Sequence, residues 1–162
     1  MHYQTHDWRQ KMTDGRPYLF RCANCLTKNR IPADKTGAIA KCGKCGTALN
    51  TKDLFLAQPV MVSDGNFETM VIKSPLPVLL DCWAGWCSAC TMVSPVVEEL
   101  ARDWKGRIRV GKLNVEANPV LTSRYDLRSL PTLLVFDGGR LRDTLIGALP
   151  KPHIVQKMTP FL

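Results

Sequence analysis

Seven cysteines constrain this 162-residue chain more than any other feature, because six of them form three Cys-x2-Cys pairs. Cys22/Cys25 and Cys42/Cys45 are separated by sixteen residues, which is zinc-ribbon spacing. Two residues between thiols let one tight turn aim both sulfurs at a single ion, and four thiolates close a tetrahedral shell with no open position for chemistry. Gly43 and Gly46 relieve crowding in the second turn, whereas Ala23 and Leu26 stand at the first. Between residues 19 and 49 the apolar residues are scattered singles, too few for a core, so metal ligation is expected to supply the missing folding free energy. Tetrahedral S4 suits iron as well as zinc, and unliganded cysteines are the bland alternative.

Charge and hydropathy divide the chain near the same place. Residues 1–57 hold 10 basic and 4 acidic residues, against 12 and 10 in residues 58–162. The expected organisation is an arm over 1–18, a ribbon over 19–50, a linker over 51–59 and a larger unit over 60–162. The longest apolar run, 77–86, is broken by Asp81, far short of the roughly 18 residues a membrane helix needs. Residues 1–10 carry His, Asp, Arg and Gln where a secretory signal has an apolar core, so a cytoplasmic address and no membrane contact are expected. In that reducing compartment, cysteines are metal ligands or catalytic thiols rather than structural disulfides.

From Val60 onward, strand and helix signals alternate, the pattern of an α/β layer structure. The expected elements are a strand at 60–62, a helix to about residue 73 capped by Asp64 or Asn66, and a buried strand over 77–83. A long helix over 88–104 carries Val93, Val96/Val97, Leu100 and Trp104 on one face, with Pro95 inside it. A strand at 107–115, a short helix at 118–125, a strand at 132–136, a Gly138-Gly139 turn into a strand at 140–146 and a final helix complete the unit.

The third pair sits where the buried strand gives way to the long helix. Unpaired N–H groups and positive potential at a helix N-terminus favour thiolate over thiol, making Cys87 the nucleophile. Cys90, at i+3, shares its helix face, so the sulfurs can meet. Cys87 can then attack a disulfide and Cys90 can resolve the mixed disulfide. Cys82 points away from Asp81 along the strand and reads either as a small buried hydrophobe or as a regulatory thiol.

These residues resemble the thioredoxins and, with the ribbon attached, look most like the bacterial thioredoxin 2 branch. The resemblance rests on Asp81-Cys-Trp83-Ala-Gly-Trp86-Cys87-x-x-Cys90, Pro95, Lys112-Leu-Asn-Val, Leu130-Pro131-Thr132, the double-glycine turn and Gly147-Ala. It implies a thioredoxin fold, a central mixed sheet of about five strands flanked by four helices, with a small N-terminal zinc ribbon. It further implies a cis Pro131 beside the dithiol, Asp81 as a buried carboxylate taking the Cys90 proton, Lys112 as its partner, and a docking ground of Trp83, Trp86, Leu130, Pro131 and Gly147. Asp81 in a buried ion pair and Leu130 as plain core are the structural alternatives. The implied activity is reduction of protein disulfides, recharged by thioredoxin reductase, with structural zinc and no bound organic cofactor.

The inner residues Ser88 and Ala89 depart from the family's usual Gly-Pro, which leaves an oxidising or isomerising specialisation open. A ribbon that binds an acidic protein or nucleic acid, with the dithiol accessory, is the rival reading. The knuckles contain no aromatic for base stacking, which argues against nucleic acid. A third possibility is oxidative release of the metal as a switch.

Overall fold

The computed structural model describes residues 15–162. The arm expected over 1–18 falls outside the described residues for positions 1–14. Two small antiparallel hairpins come first, β1 (Tyr18–Arg21) with β2 (Lys28–Ile31) and β3 (Ile39–Lys41) with β4 (Ala48–Asn50). A mixed five-stranded sheet follows, built from β5 (Val60–Val62), β6 (Val78–Trp83), β7 (Arg109–Asn114), β8 (Thr132–Asp137) and β9 (Arg140–Ile146) in the order β5-β7-β6-β8-β9. The helices α1 (Ser88–Asp103), α2 (Pro119–Arg124) and α3 (Lys151–Met158) connect or follow these strands. β6 pairs parallel with β7 and antiparallel with β8. A crossover helix is what a parallel neighbour requires, and α1 supplies it.

Alternation along β6 sorts the core. Leu80 and Cys82 join Phe67, Leu113, Leu134 and Phe136 in one apolar cluster, and Leu79 joins Val93, Val97, Leu100 and Trp104 in another. Both faces of the sheet are therefore covered, which explains the near-continuous apolar run of β6. The apolar stripe expected on α1 is the buried one: Val93, Val97, Leu100 and Trp104 are all at most 2% exposed.

Two expectations need correction. The helix expected to run to about residue 73 is a short π-helical segment, Glu68–Ile72, preceded by turns. Its expected caps serve elsewhere. The Asp64 carboxylate accepts from the N–H groups of Val120 and Leu121 at 3.1 and 3.0 Å, capping α2, while Asn66 Oδ1 accepts from its neighbour Ser63 N–H at 2.7 Å. The segment before β6 is also richer in apolar contacts than its composition suggests. Phe20 and Ile31 from the first hairpin pack with Leu54 and Leu76, so the ribbon region borrows core from the chain beyond it. Arg21 adds an ion pair with Asp137 at 3.2 Å.

Candidate active site and metal centre

β6 ends at Trp83, and a four-residue turn carries the chain to Cys87, the residue immediately before α1. Cys87 has extended backbone, and its sulfur accepts from Cys90 N–H at 3.2 Å, so the sulfur itself caps the helix. The side chains of Cys87 and Cys90 are joined as a disulfide, with Cα atoms 5.4 Å apart, and both are about 5% exposed. Among the described residues this is the one disulfide, which is the oxidised form of the expected dithiol. Gly85 N–H donates to Glu116 Oε2 at 3.1 Å, tying the turn before Cys87 to the loop after β7. Sequence reasoning missed Glu116 because nothing in its own neighbourhood marks it.

Beneath the dithiol lies Asp81, 1% exposed, with neither carboxylate oxygen accepting a hydrogen bond from a described group. Burial pushes its pKa up to about 6 against the opposing pull of Lys112. Lys112 stands opposite Asp81 in the β6–β7 register, yet its Nζ donates to Ser94 Oγ at 2.5 Å rather than to the carboxylate. A cavity of about 180 Å³ is lined by Asp81, Cys87, Cys90, Ser94, Lys112 and Trp83, among others. At about 30 Å³ for each liquid water, several would fit. The larger concavity, about 600 Å³, lies among Arg21, Lys28, Arg107, Pro77 and Phe161 and includes neither cysteine of the dithiol.

The expected docking residues divide. The Leu130–Pro131 bond is cis, and Pro131 O accepts from Gly147 N–H at 2.9 Å, which places those two together. Leu130 is half-buried against the cluster that holds Cys87 and Cys90. Trp86 is 68% exposed, whereas Trp83 is half-buried in the cavity wall, its Nε1 without a hydrogen-bond partner. Ile146, 63% exposed and paired with Thr132, extends the apolar surface beside Pro131 and was not anticipated. Cys82 is buried, and burial followed by the nearby Asp81 charge pushes its thiol pKa up, which keeps it a thiol.

In the ribbon, the two knuckles have the same backbone hydrogen bonds. Cys22 N–H donates to Thr27 O and Leu26 N–H to Cys22 O, while Cys42 N–H donates to Thr47 O and Gly46 N–H to Cys42 O, all at 2.8–2.9 Å. The equivalent turn positions are thus Leu26 and Gly46, with φ of +61° and +74°. Leu26 occupies a left-handed conformation that glycine adopts more readily. Gly43, by contrast, has no positive φ; its N–H donates to Asn29 Oδ1. The four sulfurs lie within 4.8 Å of one another, with Cys22–Cys45 and Cys25–Cys42 at 3.6 Å. A tetrahedron with metal–sulfur bonds of about 2.3 Å has edges of about 3.8 Å, so the cluster fits a single ion. Hydrogen bonding from the Thr47 side chain, then its backbone, lowers the Cys45 pKa to about 5; the backbone N–H groups of Cys45 and Lys44 lower that of Cys42.

The family model described as Thioredoxin matches residues 58–160. This chain belongs to the thioredoxin family. A second model, described as Thioredoxin 2, N-terminal, matches residues 21–47, the four-cysteine segment. The thioredoxin of Synechocystis sp. is 45% identical over 101 residues, 62% of this chain and 94% of the relative. Thioredoxin 1 of Nostoc sp. is 42% identical over 107 residues, covering 66% of this chain and all of the relative. The chloroplastic M-type thioredoxin of Chlamydomonas reinhardtii is 42% identical over 106 residues, 65% of this chain and 76% of the relative. As a thioredoxin, the chain is a thiol–disulfide oxidoreductase, a protein-disulfide reductase acting on disulfide-bearing proteins. The ribbon region is a metal site. No helix among the described residues is long and apolar enough to cross a membrane.

Proposed function

We propose that Cys87 and Cys90 carry the disulfide exchange and that Asp81 handles the proton. The Cys87 thiolate attacks one sulfur of a substrate disulfide and expels the other as thiolate, leaving a mixed disulfide. Cys90 gives its proton to the Asp81 carboxylate through cavity water and attacks Cys87 Sγ. The Cys87–Cys90 bond forms, the mixed disulfide breaks, and the substrate leaves reduced by two electrons as the protein is oxidised by two. Lys112 balances the charge of Asp81. Trp83, Trp86, Leu130, Pro131 and Gly147 receive an extended substrate segment. The observation that carries the reading is a helix-capping sulfur bonded to its i+3 partner above an unpartnered buried carboxylate.

Reduced protein is regenerated by a flavin-containing thioredoxin reductase drawing on NADPH. Zinc fills the site formed by Cys22, Cys25, Cys42 and Cys45, whose four sulfurs within 4.8 Å of one another suit a borderline-soft divalent ion. Its role is structural, because four thiolates leave no open position. The ribbon, the linking segment and the region from Val60 act as separate functional parts in a cytoplasmic protein. The test is insulin-disulfide reduction coupled to NADPH oxidation. Turnover is expected to vanish in Cys87→Ser, whereas Cys90→Ser is expected to trap the mixed disulfide. Equal turnover by Cys87→Ser and the unmodified chain would refute the assignment.

A further inference from the structure

Lys112 faces Asp81 across the β6–β7 register, where an ammonium would ordinarily close on a buried carboxylate. It is held elsewhere. Its Nζ donates to Ser94 Oγ at 2.5 Å, lies 4.0 Å from Glu98 Oε1 and sits 5.9 Å from the Trp83 ring centroid. Both oxygens of Asp81 are left without a described hydrogen-bond partner. Cys90, Ser94 and Glu98 follow one another at i, i+4 and i+8 on α1, so a single helix face carries the resolving sulfur, the hydroxyl and the outer carboxylate. Ser94 also lines the cavity that joins Asp81 to the cysteines.

We propose that Ser94 is a positioning residue for the resolving step: its hydroxyl anchors the Lys112 ammonium at the edge of the cavity, keeping it off Asp81 so that water can connect the carboxylate with Cys90. This rests on Asp81 being the acceptor of the Cys90 proton. A cation in direct contact with a carboxylate holds it ionised and weakens its hold on a proton. An ammonium tethered one hydroxyl away balances charge without that loss. The groups around Asp81 fit this division. β7 presents Lys112, α1 presents Cys90 and Glu98 with Cys87 just before it, β8 places uncharged Leu133 opposite, and Cys82 is next along β6.

The experiment is a carboxyl-carbon NMR titration of Asp81 in the full chain, comparing the parent with Ser94→Ala, Ser94→Thr, Lys112→Met and the Ser94→Ala/Lys112→Met double variant. Ser94→Ala is expected to lower the Asp81 midpoint by about half a unit or more, a roughly threefold weaker hold on the proton. Ser94→Thr, which keeps the hydroxyl, is expected to restore the parent midpoint. Adding Ser94→Ala to Lys112→Met is expected to change nothing. A midpoint that stays or rises in Ser94→Ala, or a fall that persists without Lys112, overturns the proposal. The proton-acceptor reading fails separately, if Asp81→Asn leaves the pH profile of Cys90 attack on a trapped mixed disulfide unaltered.

Discussion

Asp81 is where burial and chemistry pull against each other. Its folded pKa of about 6 lies above the unfolded value of about 3.9, so the folded state binds the proton more tightly. Stability from this group is fully present below pH about 4 and is lost as pH rises through about 6. Asp81→Asn, which removes the buried charge, is therefore expected to stabilise the chain by about 1–3 kcal/mol at pH 8, with the gain closing toward pH 4. Urea denaturation at the two pH values checks this, and a gain independent of pH would contradict it. Cys87 and Cys90 were legible in the sequence because a strand–helix junction fixes their chemistry locally, whereas Asp81 was singled out by the resemblance to the thioredoxins. Ser94 was not read as part of the site, although its i+4 spacing from Cys90 was available; its meaning depends on Lys112, a strand away. Ala23 and Leu26 stand in the first knuckle where the second has glycines, and of the two Leu26 is the one with a left-handed backbone, at φ +61°.

Among the elements, α2 shows how a local signal can be diverted. Asp64 precedes an apolar segment and reads as that segment's cap, yet its carboxylate reaches N–H groups more than fifty residues away. Asn118 completes the clasp by accepting from Asp64 N–H at 2.8 Å. Tertiary hydrogen bonding has overridden proximity, leaving residues 64–73 to form turns and a short π-helical segment. Asp64→Ala is expected to cost about 1–2 kcal/mol, the usual loss for a cap, and to raise amide exchange across α2 before the central strands. Exchange that rises around residues 64–73 and leaves α2 protected would contradict this assignment. Outside residues 64–73, helices were as legible as strands: α1 and α2 lie within a residue of their expected limits. β5, β8 and β9 also fall within a residue of their expected limits, because Pro59, Pro131, Gly139 and Gly147 punctuate the chain at their ends.

At the scale of the molecule, the ribbon is joined to the rest by a shared apolar cluster, by the Arg21–Asp137 ion pair and by Arg107 donating to Pro17 O at 2.8 Å. Those contacts hold the first hairpin. The second rests mainly on the small cluster around Cys22, Cys42 and Leu49, with Ala40 against the shared cluster, so it depends more heavily on the metal. Stripping the ion with a chelator is expected to release β3, β4 and both knuckles first, with β1 and β2 following, while the central sheet and disulfide reduction survive. Amide exchange before and after chelation checks the order, and a uniformly protected ribbon after complete metal loss would contradict it. Composition could not reveal this shared core, since Phe20 and Ile31 look isolated until Leu54 and Leu76 close over them. The most direct test of the whole account is thiol mapping by mass spectrometry across graded glutathione buffers. One reversible two-electron transition confined to Cys87 and Cys90, with the ribbon thiols unchanged, is the predicted result; a titration in which that bridge never forms, or forms only with another cysteine, contradicts it.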